Sequence, residues 1–255
     1  MSYDRGMDQP VIIVTGASRG IGRATAAALH ELGAATVAVA RSADALARLS
    51  EQFGDCLAIP ADLGSAVDRG RVVERTLQRF GTVHGIVHNA AALEPIGPIG
   101  SITEEEWTAA LAVNLVAPSL LTNALLEPLR ENGGRIVNVS SGAALHPIEG
   151  AGVYSVTKAA LKMWTESMAA EEPDLTTVAL RPGVVDTAMQ ETIRSTAKGR
   201  MPDDWYQRFM GFHREGRLLS PDLPGRAAAL LALRAPSELS GEHLAWDDER
   251  VQVLG

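Results

Sequence analysis

Between Val11 and about Leu180, short aliphatic and β-branched runs alternate with longer Ala- and Leu-rich segments of helical period. The runs predict strands over residues 11–15, 36–40, 57–60, 85–88, 135–140 and 177–180. The segments between them predict helices over 20–32, 43–53, 66–80, 103–130 and 152–171. Strands that are apolar on both faces and separated by helices make a parallel sheet covered on both sides. A last helix over 222–234 and a short strand over 243–246 complete the pattern. The expected fold class is therefore α/β, a single doubly wound domain over residues 11–255 with about seven strands. The polar first ten residues are expected to be a frayed tail.

Local signals sharpen some boundaries. Thr103 followed by Glu106 is a capping box opening the long 103–130 helix, and Asn132-Gly133-Gly134 stops it. The acids Glu104 to Glu106 read as helix-dipole partners and not as metal ligands. Residues 186–220 are polar, but they carry Met189, Met201, Trp205, Phe209, Met210 and Phe212. A stretch this long is expected to be a substrate lid.

Composition narrows the class of partner. A net charge of −8 argues against nucleic acid. The single cysteine, Cys56, excludes an internal disulfide and suits a reducing compartment. The start of the chain lacks an apolar core behind a basic end, and the longest apolar runs fall short of a bilayer. A soluble, cytoplasmic protein is expected. His84 and His88 share a strand face without a convincing third ligand, so no metal is expected.

The first predicted strand runs into Thr15-Gly-Ala-Ser-Arg-Gly-Ile-Gly22, with glycines at 16, 20 and 22 at a helix start. Glycines allow a tight turn and close approach of a pyrophosphate, which then rests on the helix N-terminus. The second strand ends in Arg41-Ser42, where an acid would suit a free ribose hydroxyl and a cation suits a 2′-phosphate. Arg41, with Arg19 as a second cation, favours NADP(H).

Tyr154 and Lys158 stand four residues apart, about 40° on a helix and hence on one face. Val153, Val156, Ala160, Met163 and Trp164 form an apolar stripe well away from them, which is expected to pack inward. A polar helix face is usually solvated. Here, however, the helix follows the fifth strand and begins at the carboxyl edge of the sheet, where ligands of open α/β sheets bind. A phenol ordinarily titrates near about 10, and a nearby ammonium lowers that value, which would tune Tyr154 to donate a proton to a carbonyl oxygen.

Together these motifs resemble the classical short-chain dehydrogenase/reductase family over roughly residues 10–251. The resemblance makes Asn114, Ser141, Tyr154 and Lys158 a catalytic set, with Ser141 preferred to Ser140 by its thirteen-residue step to Tyr154. Ser141 would bond the substrate oxygen. Lys158 would also hold the ribose, and Asn114 would hold a water linking Lys158 to solvent. A plain bond from the Asn114 side chain to neighbouring backbone is the competing role. The cofactor contacts it implies are Gly16, Ser18, Arg19, Gly20, Ile21, Gly22, Arg41, Ser42, Asp62, Leu63, Asn89, Ala90, Tyr154, Lys158, Pro182, Gly183, Val185 and Thr187. His88-Asn89-Ala90-Ala91 is similar to the family's Asn-Asn-Ala-Gly stretch and differs at its first and last places.

The C-terminal third is similar to sepiapterin reductases and diketone (benzil-type) reductases, through Asp186 to Gln190, Gly216 to Leu219 and Ser240 to His243. Where sepiapterin reductases carry a pterin-anchoring acid, this chain has Ala245, with Asp247 and Asp248 just beyond. His146 and His213 are either pocket residues or ordinary surface residues. The expected activity is NADPH-dependent reduction of a small carbonyl substrate by a homodimer or homotetramer. A 3-oxoacyl thioester reductase, a secondary-alcohol dehydrogenase and an idle NADP-binding sensor are the alternatives.

Overall fold

The strands are β1 (Val11–Thr15), β2 (Ala35–Ala40), β3 (Cys56–Pro60), β4 (Gly85–His88), β5 (Arg135–Val139), β6 (Thr176–Arg181) and β7 (His243–Ala245). They form one sheet in the order β3-β2-β1-β4-β5-β6-β7, with every pair parallel. This computed structural model describes residues 9–255. The expected frayed tail lies outside the described residues as far as position 8. Gln9 and Pro10 are held, Gln9 by its side-chain bond to the Gly33 carbonyl (3.1 Å) and Pro10 by accepting from the Ala35 N–H (2.9 Å).

The helices are α1 (Gly20–Glu31), α2 (Ala43–Gln52), α3 (Ala66–Phe80), α4 (Glu104–Leu111), α5 (Ala117–Asn123) and α6 (Leu126–Glu131). They continue with α7 (Gly152–Glu171), α8 (Ala188–Thr196), α9 (Asp203–Arg214), α10 (Asp222–Arg234) and α11 (Glu249–Gln252). Alternation along each strand sorts the core into two layers. Ile12, Val14, Val87, Val137 and Val178 pack with α1, α2 and α10. Val11, Ile13, Ile86 and Ile136 pack with α3, α5, α6 and α7. Each such side chain, once fully buried, contributes about 1.5–3 kcal/mol. Strand order reverses between β1 and β4, so the carboxyl ends of these neighbours open a crevice.

The expected 103–130 helix is broken. Its capping box forms, with Thr103 N donating to Glu106 Oε2 (2.9 Å) and Glu106 N to Thr103 Oγ1 (3.3 Å). After Leu111 the chain widens into a π turn over Ala112–Val116, and a second interruption separates α5 from α6. Proline explains both positions. Pro118 has no N–H for the Asn114 carbonyl, and Pro128 has none for Ala124. Asn114 itself is drawn inward by contacts the helix period does not encode.

The expected apolar stripe of α7 divides: Val153 is buried and Trp164 packs against the core. Val156 and Met163, in the expected inward stripe, are exposed, while Tyr154, Thr157, Lys158, Leu161, Thr165 and Met168 are buried. Polar groups enter this interface because each finds a partner. Lys158 Nζ donates to the Val139 carbonyl (2.7 Å), and Asn138 Nδ2 donates to Thr165 Oγ1 (2.9 Å). Hydrogen bonding offsets the desolvation that pattern alone treats as prohibitive.

The long segment after β6 folds as α8 and α9. Ile193, Met201, Tyr206 and Phe209 join Tyr154 and Leu93 in a third apolar cluster that covers the crevice.

Candidate active site

The glycine loop is shaped by backbone geometry. Gly16 (φ +66°) and Gly20 (φ +54°) occupy the left-handed region, which a side chain disfavours. Gly22 has ordinary helical φ but no room. A Cβ there would lie 2.4 Å from the Gly16 carbonyl oxygen and 2.5 Å from Asn89 Nδ2. Asn89, just past the end of β4, braces this loop, its amide donating to the carbonyls of Thr15 (2.9 Å) and Gly16 (3.2 Å). Thr15 Oγ1 accepts in turn from the N–H groups of Asn89 and Ala90, both at 3.0 Å. No side chain caps α1, so its first N–H groups are available to an anion.

The loop opens onto a cleft of about 1310 Å³ along the carboxyl edge of the sheet. Of the sequence-predicted cofactor contacts, Gly16, Ser18, Arg19, Gly20, Ile21, Arg41, Ser42, Asp62, Leu63, Asn89 and Ala90 line its first half. Pro182, Gly183, Val185 and Thr187 line the far wall, with Ser141, Tyr154 and Lys158 between. Gly22 and Asn114 stand outside the lining. Gly22 packs beneath the loop, and the Asn114 amide joins Ala92 to α7: Oδ1 accepts from Ala92 N (2.8 Å), while Nδ2 donates to Ala92 O (2.8 Å) and Thr157 Oγ1 (2.9 Å). The side chain thus bonds backbone 22 residues away and a hydroxyl on α7.

Electrostatics around Tyr154 and Lys158 follow from burial. Lys158 has 3 % of its surface exposed, and desolvation pulls its ammonium down from the usual lysine value to about 8. Its Nζ stands 5.8 Å from the centre of the Tyr154 ring. Burial raises the Tyr154 phenol, and a hydrogen bond with Ser141 works against that rise. This corrects the expectation of a phenol lowered by Lys158, since desolvation is the larger effect. Ser141 also accepts a bond from Ala143 N (3.1 Å). A hydroxyl, a phenol and a buried ammonium so grouped can bind a carbonyl oxygen and hand it a proton.

Other predicted candidates separate cleanly. His146 lines the cleft and His213 does not; of the lid residues, Met189, Met201, Trp205, Phe209 and Phe212 line it and Met210 does not. Asp247 reaches the cleft lining beside Ala245, whereas Asp248 caps α11. His88 is fully buried, its Nε2 2.8 Å from Thr122 Oγ1, and desolvation lowers it to about 3, so it stays neutral. His84 accepts from the Val11 N–H through Nδ1 (3.1 Å). Sequence reasoning assigned no pocket role to Gln190, Ile193, Arg208 or Trp246, all of which line the cleft. The three-residue spacing of Gln190 and Ile193 was the available signal.

Comparison with known proteins agrees with this geometry. A family model described as short chain dehydrogenase matches residues 10–198. Benzil reductase ((S)-benzoin forming) of Saccharomyces cerevisiae is 36% identical over 258 residues, spanning 94% of this chain and 97% of that protein. Sepiapterin reductase of Meriones unguiculatus is 32% identical over 263 residues, spanning 95% and 98%. The solved structure of a short chain dehydrogenase/reductase from Saccharomyces cerevisiae superposes with a TM-score of 0.93 at 30% identity, covering 96% of this chain and 99% of that one. Fold, cleft and sequence together place the chain in the short chain dehydrogenase family of oxidoreductases.

Proposed function

We propose that the protein is an NADPH-dependent carbonyl reductase acting on an apolar ketone or α-diketone. The observation that carries this reading is the grouping of Ser141, Tyr154 and Lys158 in one cleft with the glycine loop, facing the apolar cluster of Leu93, Ile193, Met201 and Phe209. The residues fit a dinucleotide: a cradle too tight for a Cβ, an uncapped helix start and two exposed arginines. A nicotinamide dinucleotide held there supplies the hydride. Tyr154 donates the proton that the carbonyl oxygen takes up, Ser141 bonds that oxygen as charge develops, and Lys158 keeps positive charge beside the phenol. The apolar lid excludes water from these groups.

Turnover with NADPH on benzil, sepiapterin and an acetoacetyl thioester tests the reading. Benzil should be reduced fastest. Reduction of the thioester alone would replace the diketone reading by a 3-oxoacyl thioester reductase, an alternative favoured by Arg208, an exposed cation in the cleft wall that suits a phosphate-bearing carrier.

Cofactor choice rests on Arg41. It lies exposed in the cleft, no acid stands at position 41 or 42, and among the described residues it forms no ion pair. A charge-assisted bond to a 2′-phosphate contributes about 1.5–3 kcal/mol. Arg41→Ala should therefore raise the KM for NADPH about tenfold or more and leave that for NADH little changed. Equal effects on both would remove Arg41 from cofactor selection.

The exposed apolar residues Val116, Leu120, Val156 and Met163, on the π turn, α5 and α7, support assembly as a homodimer or homotetramer. Among the described residues no helix is long and apolar enough to cross a membrane. With its one cysteine buried and free, the chain suits a cytoplasmic enzyme.

A further inference from the structure

The buried face of α8 carries two side chains three residues apart, Gln190 and Ile193. Ile193 packs in the cluster that holds Tyr154, Met201 and Phe209. Gln190 lines the same cleft with only 8% of its surface exposed. Its backbone N–H is engaged, donating to the Thr187 carbonyl at 2.9 Å, but among the described residues its side-chain amide has no partner. With no protein partner, the amide depends on whatever occupies the cleft, water or a ligand, for its hydrogen bonds. The Ser140 hydroxyl is also unpartnered, yet it is sealed from any surface, whereas the Gln190 amide is not. A ligand in the cleft can therefore reach Gln190. The lining of this cleft includes the apolar side chains of Leu93, Ala143, Ile148, Met189, Met201 and Phe209.

We infer that Gln190 is a specificity-determining residue whose Nε2 donates a hydrogen bond to a second substrate oxygen next to the carbonyl that Tyr154 serves. The substrate so recognised is a vicinal dicarbonyl with apolar flanks. This builds on the carbonyl-reductase reading above. A cleft with an amide waiting for an oxygen penalises the analogue that lacks it, because the amide then stays buried and unpaired. A purely apolar wall would make no such distinction.

The test compares benzil with deoxybenzoin, which keeps the skeleton and replaces the second carbonyl by a methylene. The measured quantity is the ratio of kcat/KM for the two ketones, with NADPH affinity followed by fluorescence to report an intact cleft. Gln190→Met keeps length and removes both polar atoms; Gln190→Leu repeats the reading with a different shape. Each variant should lower the ratio about tenfold or more. A loss shared equally by both ketones, with the ratio unchanged within twofold, would overturn the assignment of Gln190 and leave the reductase standing. No turnover of either ketone by the native enzyme would overturn the ketone-reductase reading, and Gln190's role with it.

Discussion

Tyr154→Phe should lower kcat for carbonyl reduction by about 10²–10⁴-fold, the usual worth of a positioned proton donor. The substitution removes one oxygen from a side chain with 8% exposure, so the ring stays packed against Leu93, Ile193 and Phe209. Folding and the apolar wall should survive, and the loss should fall on kcat more than on KM. Steady-state kinetics with benzil, together with NADPH affinity from fluorescence, separate these effects. The phenol that is lost is not an easy acid: burial raises it, and the Ser141 bond opposes the rise only in part. A second polar contact is thus stranded in the variant, since Ser141 loses its phenol partner. Retention of kcat within threefold would show that the proton reaches the carbonyl oxygen by another route, and would end the assignment of Tyr154.

What could be read from the sequence were the features whose cause is local. The glycine loop is legible because a left-handed turn between a strand and a helix needs Gly16 and Gly20 wherever it occurs. The capping box at Thr103 and Glu106 is legible for the same reason. The parallel sheet follows from strands apolar on both faces, and the carboxyl-edge site follows from the sheet. Pro118 marked where the 103–130 helix would be interrupted, but the inward turn of Asn114 was hidden, because its amide meets Ala92 and Thr157, 22 and 43 residues distant in sequence. The orientation of α7 was hidden by a related cause. Thr157, Lys158 and Thr165 look solvated in a hydrophobicity pattern, yet Asn114, the Val139 carbonyl and Asn138 satisfy them inside. Val156 and Met163, from the expected stripe, then face outward. Polar burial at the site was therefore the point at which pattern and structure diverged, as expected where function competes with packing.

Gly22→Ala should weaken NADPH binding about tenfold and lower the melting temperature by a few degrees, although Ala is the better helix former. Helix propensity alone favours the substitution by about 0.8–1 kcal/mol. Against it stands a new Cβ at 2.4 Å from the Gly16 carbonyl oxygen and 2.5 Å from Asn89 Nδ2. Neither neighbour is the free end of a flexible chain. The carbonyl is backbone in a left-handed turn, and the Asn89 amide is tied to Thr15 and Gly16 by its own hydrogen bonds. Overpacking of this kind costs about 1–3 kcal/mol, so the clash outweighs the propensity gain. Relief requires α1 to move away from the loop or the loop to move into the cleft, and either displaces the N–H groups that an anion would meet. The matched control is Gly70→Ala on α3, where an added Cβ meets nothing within 4 Å and φ is ordinary. That variant feels the propensity term alone and should melt slightly higher with cofactor affinity unchanged. Fluorescence titration with NADPH and thermal melts of the two variants side by side give the answer. If Gly22→Ala bound NADPH within threefold of the native protein, the close packing of Gly22 on the Gly16 carbonyl would not be what shapes the cofactor loop.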